Sequence, residues 1–251
     1  MIMKLKINDR AATSIKNNTK RVEIRANKKN SKHDYSILKE NDIIEFTSDN
    51  LGIFYVKVKE VNHYETLEEL FTLEGTRYTT SSTNDFEEAI KNVNKLDGYE
   101  EAIKKNGVYA IHIVYLYSEN TVWEELYEHA KNVRNPRNIS NMIDAGGVGA
   151  AILTKNHNIY TGVCIDTACS LGMCAERNAI ANIITNGENE IVKLVCVGSC
   201  GNVVSPCGAC REYMMQLSKN SKNIEILKDI NNKETVKLEK LIPDWWGVNR
   251  V

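Results

Sequence analysis

This 251-residue chain has no cysteine before Cys164 and none after Cys210. Seven thiols confined to that window do not make the spread framework that a secreted, disulfide-stapled protein needs. Only three prolines are present, none in the first half, and glycines there are few. Low-complexity tracts and internal repeats are absent as well. No apolar run approaches the length of a membrane span. The start, Met1 to Ile7, alternates and turns polar at once, so it reads as a first strand rather than a targeting segment. A reducing, cytoplasmic setting with no membrane partner is the expectation. Net charge is only −1, which gives no global pull toward nucleic acid. What is present is 42% hydrophobic and 26% charged residues, enough for a packed core in one large or two moderate domains.

Charge is uneven along the chain. Residues 1–40 hold eleven Lys/Arg against four Asp/Glu, and residues 41–117 hold seven against fourteen. A basic face in the N-terminal half follows. Residues 118–251 are balanced, fourteen against fifteen.

The first half mixes strand and helix signals. Lys20–Arg25 alternates with period two, placing Val22 and Ile24 inward and Arg21, Glu23 and Arg25 together outward. Asp42–Phe46, Phe54–Val58 and Gly107–Tyr117 read as strands. Thr66-Leu67-Glu68-Glu69 is a capping box, and 85–96 is helical in pattern. Ser118-Glu119-Asn120 is a polar break, and Thr121-Val122-Trp123-Glu124 is a second capping box. The expected boundary therefore gives domains 1–117 and 118–251. The second runs helix, strand 147–155, strand 158–166, helix 173–186, strand 191–199, helix 207–219, strand 224–229. That alternation predicts a sheet covered by helices.

Two short motifs carry the chemistry: Cys174-Ala175-Glu176 and Pro206-Cys207-Gly208-Ala209-Cys210. A catalytic zinc takes three protein ligands and keeps one position for water. Cys174, Cys207 and Cys210 supply three, both segments at predicted helix starts, where negative charge is favoured and thiol pKa falls. None of the five histidines is near, so the set is all sulfur. One zinc ion per chain is expected. Arg177, three residues after Cys174, is placed to offset the surplus negative charge. Glu176, two residues from a ligand, reaches the metal-bound water without binding the metal. The combination matches the signature of zinc deaminases, with Glu176 as the proton carrier. A four-ligand structural zinc knot, drawing on Cys164, Cys169 or Cys200, is the rival reading.

At these residues the second half, about 120–251, resembles the cytidine deaminase superfamily. The likeness is to its small homotetrameric cytidine deaminases and blasticidin S deaminases. The matching runs are 148–153, 159–162, Cys174–Ile180 and Ser205–Arg211. The resemblance implies a three-layer α/β fold, deamination of a free cytidine or deoxycytidine, and assembly as a homo-oligomer, dimer or tetramer. It also implies that Ala175 N–H bonds the ring carbonyl and that the Ser205 carbonyl faces the departing ammonia. The family's sugar-binding Asn-x-Glu aligns with Cys164-Ile165-Asp166. A base-stacking aromatic is replaced near Gly146. Trp245 and Trp246 fall where a C-terminal aromatic covers the pocket, and Trp246 is placed with the substrate. A blasticidin-like or modified nucleoside is the second substrate reading.

Residues 1–117 resemble an ASCH domain, an α+β, PUA-like β-barrel, through Ile15–Arg25, Glu40–Phe46 and the strand at 107–116. The resemblance implies an RNA or nucleobase-like ligand, with Lys20, Glu23 and Arg25 as its candidate site. Glu23 stands where related amidohydrolases have threonine, which argues against their mechanism. A protein that acts on RNA, or only binds it, is the competing reading of the whole chain.

Overall fold

The computed structural model describes residues 1–29 and 31–248. The backbone divides into two compact units, Met1–Asn120 and Thr121–Val251. No helix among the described residues is long and apolar enough to cross a membrane.

Unit 1 runs β1 (Ile2–Lys6), α1 (Asp9–Lys16), β2 (Val22–Arg25), β3 (Ile43–Ser48), β4 (Gly52–Tyr64), α2 (Leu67–Glu74), α3 (Phe86–Asn94), α4 (Tyr99–Asn106) and β5 (Val108–Ser118). Its five strands pair in the order β1-β3-β4-β5-β2, parallel only between β1 and β3. The caps explain several helix starts. Asn8 Oδ1 accepts from Ala11 N at 2.9 Å, Thr66 Oγ1 from Glu69 N at 3.1 Å, and Asp85 Oδ1 from Glu88 N at 2.8 Å. One core, with Ile44, Phe46, Phe54, Val56 and Val58, takes in Ala12 and Ile15 of α1. A second packs β2 and β5 against α2, α3 and α4.

The sheet is open, which corrects the expected barrel. β1 and β2 are its two edges and share no ladder. The link between them is a side chain: Arg25 Nη2 donates to Lys6 O at 3.1 Å. β2 is only four residues long, and the Arg25 guanidinium reaches from it to the other edge.

The outward placement of Glu23 is also corrected. Lys20 and Glu23 are each only 6% exposed. Glu23 bridges Lys20 at 3.4 Å and Arg25 at 2.8 Å. Arg21 is exposed and Arg25 half-buried. Alternation reports which residues share a face, and here that face is covered.

Unit 2 runs α5 (Val122–Val133), β6 (Arg137–Ser140), β7 (Ile143–Thr154), β8 (Ile159–Thr167), α6 (Ala175–Thr185), β9 (Ile191–Val197), α7 (Gly208–Met215), β10 (Glu225–Asp229), β11 (Glu234–Lys237) and α8 (Leu238–Leu241). The sheet order is β11-β10-β9-β7-β6, with β8 on the other side of β7 and a parallel β9–β10 step. β7 alternates between two covered faces. Ala150 and Ile152 join the cluster of α6 and α7, while Gly149 lies against the Ala130 carbonyl of α5. Helices thus cover both faces of the sheet. The expected cap at Thr121 takes another form: its hydroxyl donates to Glu125 Oε1 at 2.5 Å and bonds no helix N–H.

Candidate metal centre

The centre is assembled by two helix starts. Cys174 is the N-cap of α6 and Cys207 the N-cap of α7, each extended and neither spending its side chain on the helix. Cys210 follows one turn into α7 and is fully buried. Pro206 precedes the cap, and Arg211 pins that turn, donating to Pro206 O at 2.8 Å and to Leu241 O at 3.1 Å. On the other side α6 is locked to β8. Asn178 Nδ2 donates to Val163 O at 3.0 Å and Asn182 Nδ2 to Thr161 O at 2.9 Å. Gly162 permits this approach, because a Cβ there would lie 2.4 Å from Ala179 N and 2.6 Å from Ala175 O.

Cys174 Sγ lies 3.7 Å from Cys207 Sγ, which lies 3.5 Å from Cys210 Sγ. Sulfurs around a tetrahedral zinc at about 2.3 Å each would stand about 3.8 Å apart. The donor set therefore fits zinc, and the three cysteines are positioned to bind it. Among the described residues no fourth ligand joins them, and Cys164, Cys169 and Cys200 lie outside the cluster. That removes the four-ligand knot. All seven cysteines are free thiols.

Burial pushes the Cys174 thiol up, and the neighbouring Cys207 adds to this. Burial would raise Cys207 too, but hydrogen bonds from the Cys210 backbone and from the Cys210 and Cys174 thiols bring it below its ordinary value. Cys210 is driven far up, by burial first and then by the charge of Glu176. Ionising all three thiols together at this spacing needs a cation between them. Arg177 answers part of this. Burial works against its charge, but the Cys174 and Cys210 sulfurs outweigh that and raise its pKa. Its Nη2 lies 3.4 Å from Gly172 O.

Glu176 is 5% exposed and lines a cavity of about 700 Å³ together with Cys174 and Cys207. Cys164, Asp166, Ala175, Arg177 and Ser205 line the same cavity. Val148 N donates to Cys164 Sγ at 3.2 Å, and that thiol lies 3.5 Å from Asp166 Oδ2. Cys196, read from sequence as a buried apolar residue, is buried, and Glu176 lies close enough to act on its thiol. Burial, then Glu176, keep its thiol protonated. Its apolar neighbours Val195 and Val197 hid that placement, as the distant Leu241 hid that of Arg211.

Trp246 departs from its expected place. It is 62% exposed and does not line the cavity. Its Nε1 donates to Glu212 Oε1 at 3.0 Å, beside the buried Trp245, which donates to Glu212 Oε2 at 2.8 Å. A carboxylate on α7 that accepts both indoles holds the pair against that helix. Lys20, Glu23 and Arg25 do come together, in unit 1. Lys20 Nζ donates to Val22 O at 2.6 Å and to Thr79 O, besides its bridge to Glu23. Those three partners use all three ammonium donors, so Lys20 has none left for a ligand.

Three thiols, an adjacent buried carboxylate and an opening toward solvent define a zinc centre of the catalytic kind. Residues 122–224 match the model of the cytidine and deoxycytidylate deaminase zinc-binding region, and residues 5–117 match the ASCH domain. A cytidine deaminase of Sporosarcina psychrophila is 33% identical over 97 residues, 38% of this chain and 71% of that protein. A blasticidin-S deaminase of Bacillus cereus is 34% identical over 106 residues, 38% of this chain and 74% of that protein. A crystal structure of cytidine deaminase from Mycobacterium tuberculosis is similar at 25% identity, with a TM-score of 0.43. It covers 50% of this chain and 98% of that one. The chain belongs to the cytidine deaminase family through its second unit and carries an ASCH domain in its first.

Proposed function

We propose that the protein is a zinc-dependent hydrolase that deaminates a free pyrimidine nucleoside, cytidine or deoxycytidine, to the corresponding uridine and ammonia. The observation that carries this is the buried Glu176 carboxylate lining the same cavity as the thiol cluster. Cys174, Cys207 and Cys210 would hold the zinc, whose chemistry would be to acidify water as the nucleophile. Glu176 would take the proton that the attacking water loses and hand it to the ring nitrogen, then take the second proton from the hydroxyl now on the ring carbon and hand it to the amine, which leaves as ammonia. Ala175 N–H, at the start of α6, donates to the ring carbonyl, and the Ser205 carbonyl faces the departing ammonia. Asp166, at the open end of the cavity beside Cys164, accepts from a sugar hydroxyl.

Balanced charge in the second half, fourteen basic against fifteen acidic, supports a free nucleoside over a polynucleotide at this centre. A reducing, cytoplasmic location suits seven free thiols. Exposed Ile139, Met142 and Leu171 in unit 2 suit assembly into a homo-oligomer. The test is Glu176→Gln. Bound zinc is expected to persist while turnover of cytidine drops by about 10²–10⁴-fold. Full activity in that variant would overturn the role of Glu176. Ultraviolet assays on cytidine, deoxycytidine, blasticidin S and a cytidine-containing oligonucleotide fix the substrate. Turnover of the oligonucleotide alone would overturn the free-nucleoside reading.

A further inference from the structure

Unit 1 holds a cavity of about 560 Å³ lined by the end of α1, the turn after it and the loop that joins α2 to α3. No Asp or Glu lines it. This is unexpected on composition, since residues 41–117 carry fourteen acids and seven bases. The loop residues 75–84 nonetheless include no acid and one base, Arg77, among hydroxyl side chains. Arg21 enters from the other wall. Both guanidiniums lie against the Tyr78 ring, Arg21 at 4.4 Å and Arg77 at 5.1 Å from its centroid. Among the described residues neither has a carboxylate partner. Arg21 spends only Nε, on Asn18 Oδ1 at 2.9 Å. Its two terminal nitrogens, and the whole Arg77 fork, remain available.

The loop is held in shape by the fold. Buried Lys20 donates to Thr79 O, while Arg21 N and Val22 N both donate to Tyr78 O, at 2.7 and 3.0 Å. Thr76 Oγ1 closes the loop on Asn84 O at 2.7 Å. Lys20 is thus a strut behind the cavity, and the cations that face it are Arg21 and Arg77. We propose that this cavity binds a phosphate group, carried by a free nucleotide or by a polynucleotide backbone. Paired guanidinium forks match phosphate oxygens in geometry and charge, and the Ser14 and Ser81 hydroxyls add donors. The Tyr78 ring is already engaged by cations, so recognition runs through charge rather than base stacking.

The test uses the full-length, zinc-loaded protein and calorimetric titration with inorganic phosphate, cytidine monophosphate and a short single-stranded oligoribonucleotide. At least one is expected to bind saturably. In Arg21→Gln/Arg77→Gln that binding is expected to weaken by about tenfold or more, with circular dichroism and nucleoside deamination unchanged. Arg77→Gln alone, whose fork makes no hydrogen bond or ion pair among the described residues, is expected to show the loss without a folding defect. Similar affinity for phosphate and the mononucleotide identifies a small ligand. Binding of the oligonucleotide alone, with affinity falling steeply with salt, identifies a backbone. Absence of binding by all three, or undiminished binding in both variants, would overturn the proposal. The outcome is independent of the deaminase reading, because it concerns other residues and another readout.

Discussion

Each unit buries a cluster of ionisable side chains, and the two clusters are opposites. In unit 1, Lys20 and Arg25 both bridge Glu23, and Lys20 turns its remaining donors to backbone carbonyls. In unit 2, Cys174, Cys207 and Cys210 face one another with nothing of opposite charge between them. The Lys20 ammonium is fully used without a ligand, whereas the second cluster needs one. Counting donors against acceptors therefore separates a strut from a site, although both contain buried polar groups. Among the described residues of unit 1, Arg25 Nε is the buried side-chain atom without a partner, beside the gap between the sheet edges.

The strongest way to break this contrast is to remove a ligand. Cys207→Ser should reduce zinc, measured by elemental analysis, well below one per chain and take deamination to background. Retained metal and turnover would mean that the thiols are not the ligand set. Next is the strut. Glu23→Ala leaves two buried cations facing each other and should destabilise unit 1 by about 3–5 kcal/mol in denaturant unfolding. Zinc content should stay unchanged. Gly162→Ala drives a methyl group into the α6 backbone and should cost unit 2 about 1–3 kcal/mol. If it costs nothing, the close packing of α6 on β8 is wrong. Arg177→Gln should weaken zinc retention against a chelator by about 10–100-fold, because it removes a charge without removing a sulfur.

The smallest effect is a pH dependence in unit 1. Burial would raise the Glu74 carboxyl, but bonds from Asn62 at 3.0 Å, Tyr64 at 2.7 Å and His112 win and hold it below 4.5. Its stabilisation is present above pH 4.5 and is lost as pH falls through the lower folded value. Glu74→Gln should flatten that part of the acid-unfolding curve, and an unchanged curve would discount the network.

The metal centre was legible because its information is local. Cysteine spacing, a proline before a cap and a glutamate two residues from a ligand survive without knowledge of the fold. The capping box at Thr66 was legible for the same reason. Two helices of unit 1 gave no such signal. α1 buries only Ala11, Ala12 and Ile15, and α4 starts at Gly98, left-handed at φ 70° with no side-chain cap. β6 is exposed throughout and shows no alternation. Glu23 was misread as outward because the cover over its strand comes from distant residues, among them Thr79, which accepts from Lys20 59 residues away. Arg77 drew no notice because its meaning depends on Arg21, which only the sheet brings near.

Because the caps of two helices 33 residues apart meet at the sulfurs, the ion can be loaded only after both helices have docked on the sheet. Metal acquisition is then a late checkpoint in maturation, and a chain that stalls before docking leaves its thiols open to oxidation. Withdrawing the ion from the finished protein should loosen the first turns of α6 and α7 together while the strands beneath stay protected from hydrogen exchange.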